Sequence, residues 1–159
     1  MKDFNSRNNE ISCTISSLQE LMDKLNILSE AFLKQEECLY IISEFANDWE
    51  YWQSPDGSYR YVSPSSELIT GYKPDDFYQD IDLIKKIIVD DDWDKWLIHS
   101  HDRDKRDEVE PIEFKIITKN GEERWIHHVC RVVTGNNGEN LGIRGSNRDI
   151  SELKATIAK

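Results

Sequence analysis

The chain has 159 residues, and its five Trp, six Tyr and five Phe are enough for one packed domain of roughly 100–150 residues plus an accessory segment. Its formal charge of −11 argues against nucleic acid or an anionic membrane surface as a partner, because phosphate binding depends on clustered Lys and Arg. Cys13, Cys38 and Cys130 are odd in number, far apart and without Cys-x-x-Cys or Cys-x-x-Cys-His spacing, which points to a reducing compartment and to neither a zinc nor a c-type haem site.

The start, Met-Lys-Asp-Phe-Asn-Ser, is not a signal peptide, and no apolar run reaches the roughly 18–20 residues of a transmembrane helix. A cytoplasmic location with no direct membrane insertion is therefore expected. Residues 1–46 read as one long amphipathic helix. Ile11, Leu18, Leu25, Phe32 and Leu39 recur at one heptad position, with Leu21, Leu28 and Ile42 three residues after their partners. Thr14 and Gln35 break the seam, and no Pro or Gly interrupts the stretch from Met1 to Glu50. A seam sustained over about four heptads predicts a coiled coil. Leu18, Leu21, Leu25, Leu28 and Phe32 are its expected contacts, in a parallel homodimer. The alternative is a helix packed along its own globular domain.

From Asn47 the character changes from helix to sheet. Trp49 to Gln53 and Tyr59 to Ser63, joined by Ser54-Pro55-Asp56-Gly57, read as an aromatic-rich hairpin. Short helices follow, one capped by Ser65 or Ser66 and stopped at Gly71 and one opened by Lys73-Pro74-Asp75-Asp76, and then the stretch Ile81 to Val89. Asp90-Asp91-Asp92 then heads a helix with Trp93, Trp96 and Leu97 expected on one side. Three acidic neighbours at a helix start suit capping better than a divalent ion, which needs convergent ligands. His99, His101 and the charge run Asp102 to Glu108 lead into three strands. In the first of these, Ile112, Phe114 and Ile116 alternate with polar residues; Arg124 to Val133 and Leu141 to Arg148 complete an antiparallel meander. Asn120-Gly121 is expected to supply two positive-φ residues to the first turn. After Asp149, which can cap it, Ile150, Leu153 and Ile157 take helical spacing. The order predicts an α+β domain, a five-stranded antiparallel sheet with short helices on one face, preceded by the long helix.

Residues 48–151 resemble a PAS domain, the sensory module found upstream of histidine kinases and diguanylate cyclases. The similarity rests on Ser-Pro-Asp-Gly at 54–57, Tyr61-Val62-Ser63-Pro64, Ile69-Thr70-Gly71-Tyr72, Val89-Asp90-Asp91-Asp92-Trp93, Asn120-Gly121 before Arg124-Trp125-Ile126, and Gly145-Ser146-Asn147-Arg148-Asp149-Ile150-Ser151. The implied division is residues 1–46 for the helix, 47–151 for the sensory domain and 152–159 for the start of an exit helix.

Each chemistry the family supports has its own residue requirement. Phe77-Tyr78-Gln79-Asp80 stands where flavin light sensors of this fold carry a reactive Cys, which disfavours a flavin–thiol adduct. A b-type haem would require His99 or His101, but both lie at a polar helix end beside Asp102, Arg103 and Asp104, where a His is expected to interact with the macrodipole. No resident metal is expected. By the resemblance, a ligand pocket would be lined by Tyr51, Gln53, Phe114, Ile116, Ile126, His128, Cys130 and Asn147, a mostly apolar set with a few hydrogen-bonding groups. The plain alternative is that His128 and Asn147 are buried polar groups bonded to each other or to backbone. Ligand retention is expected to depend on His128 and Asn147 more than on His99. The opposite face would show Trp125, His127, Val129 and Arg131, and needs a cover.

No catalytic constellation is present: there is no Gly-rich phosphate loop, no His-Glu-x-x-His and no Ser motif with a paired His and carboxylate. The reading is a sensory input and dimerisation module that passes a small-molecule or redox signal through Asp149, Ile150 and Ser151 to an output domain in a parent protein. Its alternative is a ligand-free module that only dimerises or binds neighbours.

Overall fold

The computed structural model describes the backbone of residues 2–102 and 110–158, excluding the side chains of residues 2–11, Glu44 and 100–102. The Ile11 and His101 side chains and the charge run after Asp102 thus lie outside the described residues. The chain divides into two compact units, Met1–Ile42 and Ser43–Lys159.

The first unit lies within α1 (Lys2–Glu44), a helix of 43 residues. Leu18, Leu21, Leu25, Leu28 and Phe32 on it are all exposed. The continuity of the helix follows from the absence of Pro and Gly, since either would interrupt the i→i−4 ladder.

The second unit is built on one antiparallel sheet of β1 (Trp49–Gln53), β2 (Tyr59–Val62), β3 (Ile112–Ile117), β4 (Glu123–Thr134) and β5 (Asn140–Asp149), in the order β2-β1-β5-β4-β3. Three hairpins share one turn design. In Ser54–Ser58, Thr118–Glu122 and Gly135–Glu139 the fourth residue, Gly57, Gly121 or Gly138, has φ near +80° and donates its N–H to the first residue's carbonyl. That is a three-residue loop closed by a left-handed glycine. No residue other than glycine has positive φ among the described residues, so Asn120 does not share that role with Gly121.

Between β2 and β3 run α2 (Ser65–Thr70), α3 (Pro74–Gln79), α4 (Leu83–Ile87), a 3₁₀ turn (Asp90–Asp92) and α5 (Trp93–Asp102). Neither Ser65 nor Ser66 caps α2: the Ser65 hydroxyl donates to the Asp48 carbonyl and the Ser66 hydroxyl to Tyr72. Their small side chains are buried and tie α2 to the start of β1 and to the chain beyond Gly71. At α3 the Asp76 carboxylate accepts the Lys73 N–H at 2.9 Å, with Pro74 in the first turn. Ile69, Phe77, Leu83, Ile84, Ile87, Ile88 and Trp96 pack against Trp49, Tyr51, Phe114, Ile116 and Ile126 of the sheet to form the core. Leu97 is exposed, so the buried side of α5 runs through Trp96 and His99 instead.

Of the acidic trio, Asp92 alone is buried. Its carboxylate accepts the Lys115 N–H at 2.8 Å and pairs with Lys95, which fastens the start of α5 to β3. Burial opposes its ionisation, but the hydrogen bonds from Lys95 and the Lys115 amide prevail and hold the carboxyl below its usual range. A lowered folded pKa gives stability that is complete above the unfolded value and is lost as pH falls through the folded one. Asp92→Ala should therefore cost about 2 kcal/mol at neutral pH, the scale of hydrogen bonds to a charged group. Denaturant unfolding across an acid series should show the gap from the parent protein narrowing as pH drops; a gap independent of pH would remove the ionised carboxylate from the account.

Candidate functional site on the inner face of the sheet

Strand register places the polar residues of the inner face in adjoining rows. Trp49 lies opposite Asn147, Asn147 opposite His128, and His128 opposite Ile112. In the next row Tyr51 faces Gly145 and Gly145 faces Cys130. Because side chains alternate along a strand, His128 and Cys130 share a face with Ile126 and neighbour one another. All three are buried. Gly145 has no side chain for a reason visible here: a Cβ at this position would come within 2.3 Å of the Tyr51 ring, which lies across the glycine.

The Asn147 amide bridges two strands. Its Nδ2 donates to the Trp49 carbonyl at 3.4 Å, and its Oδ1 stands 2.8 Å from His128 Nδ1. Since Oδ1 can only accept, that short contact requires a proton on His128 Nδ1. The His128 ring is further held by Tyr51, parallel at 6.1 Å, by Trp96 at 5.3 Å and by Phe114 at 6.1 Å between centroids.

His99 is not the solvent-facing helix-end residue its neighbours suggested; it is 3 % exposed and faces inward from α5. Its Nε2 lies 3.1 Å from Cys130 Sγ, and its ring meets His128 edge to face at 4.9 Å. The three-residue step from Trp96 puts both on one side of α5, and that period was the signal in the sequence. It was hidden by the run of charged residues that follows. With His99 in the same cluster, the expected contrast between His99 and the His128–Asn147 pair loses its structural basis.

The expected pocket residues divide in two. Tyr51, Phe114, Ile116, Ile126, His128, Cys130 and Asn147 are buried within the packed inner face. Gln53 instead lines a cleft of about 290 Å³, together with Asp56, Gly57, Ile81, Asp82, Ile84, Lys85 and Trp96. This volume is at the lower end for small-molecule sites, which span about 300–1,000 Å³. Trp96 belongs to both: it lines the cleft and packs on His128 and Phe114. Pattern reading also passed over Trp49, whose indole N–H is buried with no acceptor among the described residues.

The sheet's last strand leads directly into α6 (Ser151–Ile157). The Asp149 carboxylate accepts both the N–H and the hydroxyl of Ser151, at 2.9 and 2.6 Å, from a position just outside the helix. The Ser151 hydroxyl oxygen accepts the Trp125 N–H at 2.9 Å, and Ile150 N–H donates to the Trp125 carbonyl at 2.9 Å. Lys154 then pairs with Glu113 and lies 4.9 Å from the Trp125 ring, with Lys115 at 5.2 Å. Two lysine side chains thus give outward-facing Trp125 part of the cover it needs.

A profile of the PAS fold matches residues 59–147, inside the second unit and over more than half of the chain. The chain belongs to the PAS family. Its fold is similar to that of a PAS domain from Colwellia psychrerythraea, at a TM-score of 0.60 and 20 % identity, with 76 % of this chain and 98 % of that one covered. It is also similar to a sensory box histidine kinase/response regulator from Burkholderia thailandensis (0.56, 20 %, covering 71 % and 84 %). A third similar structure is the N-terminal domain of a diguanylate cyclase with a PAS/PAC sensor from Marinobacter aquaeolei (0.56, 17 %, covering 67 % and 98 %). No curated protein matches the chain. At these identities the likeness establishes the PAS fold alone.

Proposed function

We propose that this chain is the sensory input and dimerisation module of a signal-transduction protein of the histidine kinase or diguanylate cyclase type. It has no enzymatic activity of its own and works in the cytoplasm. The observation that carries the reading is the path from the inner face to the exit helix. His128 and the Trp125–Ser151 contacts lie on the same strand, β4, so a displacement of the polar cluster moves the groups that hold the first turn of α6. Asp149, Ile150 and Ser151 are the relay, and exposed Leu153 and Ile157 on α6 suit a partner helix continuing toward an output domain. The likeness to PAS domains of a histidine kinase and a diguanylate cyclase supports that choice of output. Among the described residues, no helix is long and apolar enough to cross a membrane.

A ligand acts on such a module only through different affinities for two states, typically about 1–3 kcal/mol of coupling. The cleft against Trp96 and the buried Trp49 indole N–H, which has no partner among the described residues, favour a ligand-binding module, since buried donors are ordinarily satisfied. The tight packing of Tyr51 across Gly145 favours the other reading, a ligand-free dimerisation module. Native mass spectrometry reports subunit number and any retained small molecule together and so separates the two.

The relay is tested in the parent protein. Asp149→Ala should cost about 1 kcal/mol by removing the acceptor for the first turn of α6, and should leave output no longer responsive to the signal. Output that responds normally in this variant would take Asp149 out of the relay.

A further inference from the structure

We propose that His99, His128 and Cys130 form a binding site for a borderline-soft divalent metal ion, Zn²⁺ being the natural occupant by ligand chemistry. The inference deepens the sensory reading, on which it rests, by naming what the inner face binds. The spacing that argued against zinc in the sequence concerned consecutive ligands, whereas here α5 and β4 bring the three together. All three residues are buried, and their ligand atoms lie within 4.8 Å of one another. A tetrahedral ion with Zn–N near 2.0–2.1 Å and Zn–S near 2.3 Å places its ligand atoms about 3.3–3.6 Å apart. The His99 Nε2–Cys130 Sγ separation of 3.1 Å is already at that scale, so small side-chain rotations complete the set.

The independent observation is the support behind His128. A metal-bound His characteristically donates its other ring N–H to a fixed oxygen, which sets the tautomer and the ring orientation. Asn147 does this: its Nδ2 is used on the Trp49 carbonyl, its Oδ1 accepts from His128 Nδ1, and the lone pair of His128 is thereby assigned to Nε2. The donor set of two imidazoles and one thiolate matches Zn²⁺ or its spectroscopic substitute Co²⁺, and disfavours Mg²⁺ and Ca²⁺, which prefer oxygen. On binding, the Cys130 thiol loses its proton to solvent and no electron is transferred. Three protein ligands leave the fourth position open, as at zinc sites that exchange a ligand.

The test is a Co²⁺ titration of the chelator-treated full chain carrying Cys13→Ser and Cys38→Ser, both exposed residues, so that Cys130 is the remaining thiol. One Co²⁺ per chain is expected, with a near-ultraviolet thiolate-to-cobalt band and strong visible bands of tetrahedral geometry, all displaced by Zn²⁺. Asn147→Ala should weaken binding about 10–100-fold. Cys130→Ser should abolish the thiolate band, and His99→Gln should weaken binding by more than Asn147→Ala does. Circular dichroism identifies the folded variants, and Co²⁺ binding weakened in folded His99→Gln or in folded Asn147→Ala supports the site. A folded protein that shows only weak octahedral bands, or a thiolate band whose Co²⁺ affinity is unchanged in folded His99→Gln, overturns it. In that case a signal response abolished by Asp149→Ala in the parent protein would leave the sensory reading standing.

Discussion

Leu25→Asp is expected to turn a parallel dimer into a monomer. Leu18, Leu21, Leu25, Leu28 and Phe32 are between 55 % and 66 % exposed on α1, an apolar stripe at heptad spacing with nothing among the described residues of the first unit to bury it. Fully burying one such side chain is worth roughly 1.5–3 kcal/mol before ordering entropy is subtracted. Across several layers this gain exceeds the repulsion between two acidic chains, whose exposed charges are largely screened at physiological salt. A two-fold axis along the seam also puts both exit helices on the same side, as a symmetric output requires. An Asp at position 25 would bury a carboxylate facing its own copy. Sedimentation velocity at micromolar concentration should show dimer for the parent protein and monomer for the variant. A monomeric parent protein, or a variant that stays dimeric, would mean that the stripe serves another surface.

The elements of the sheet were legible because each strand repeats one physical signal. β3 alternates apolar and polar residues, β4 is rich in aromatic and β-branched ones, and each of the three hairpins carries a glycine where a left-handed residue is required. The inward parity of Ile126, His128 and Cys130 came from the resemblance to PAS domains, and the burial that alternates along β4 agrees with it. What period could not give was the pairing of elements distant in sequence. His99 joins Cys130 across 31 residues, and the three-residue step from Trp96 that marks His99 as inward does not name its partner. The same limit applied to Asp92. A local cap and a tether to β3 require the same residue type at the same place, and only the Lys115 amide decides between them. Ser65 and Ser66 show the converse, since one or the other was read as the cap and both bond to other parts of the chain.

Phe77→Ala should produce the largest loss of stability in the PAS unit. Phe77 is fully buried on α3, where Trp49 approaches it at 4.9 Å, Tyr59 at 5.9 Å and Tyr72 at 6.5 Å between ring centroids. One side chain therefore joins β1, β2 and the segment between α2 and α3. Truncating a buried Phe to Ala typically costs 3–5 kcal/mol, on the order of half of a domain's total stability of about 5–15 kcal/mol. The upper part of that range is expected here, because Trp49 and Tyr59 are rigid rings on strands and do not collapse into the space. Urea unfolding of the full chain, followed by tryptophan fluorescence, should show a lower midpoint with little change in slope. A neighbouring control, Tyr78→Ala on the exposed side of the same helix, removes a hydroxyl that accepts the Val62 N–H and should cost about 1 kcal/mol. If Phe77→Ala costs no more than that control, α3 is held by its termini rather than by its buried ring. The aromatic cluster around Phe77 would then be soft enough to repack when a side chain is removed.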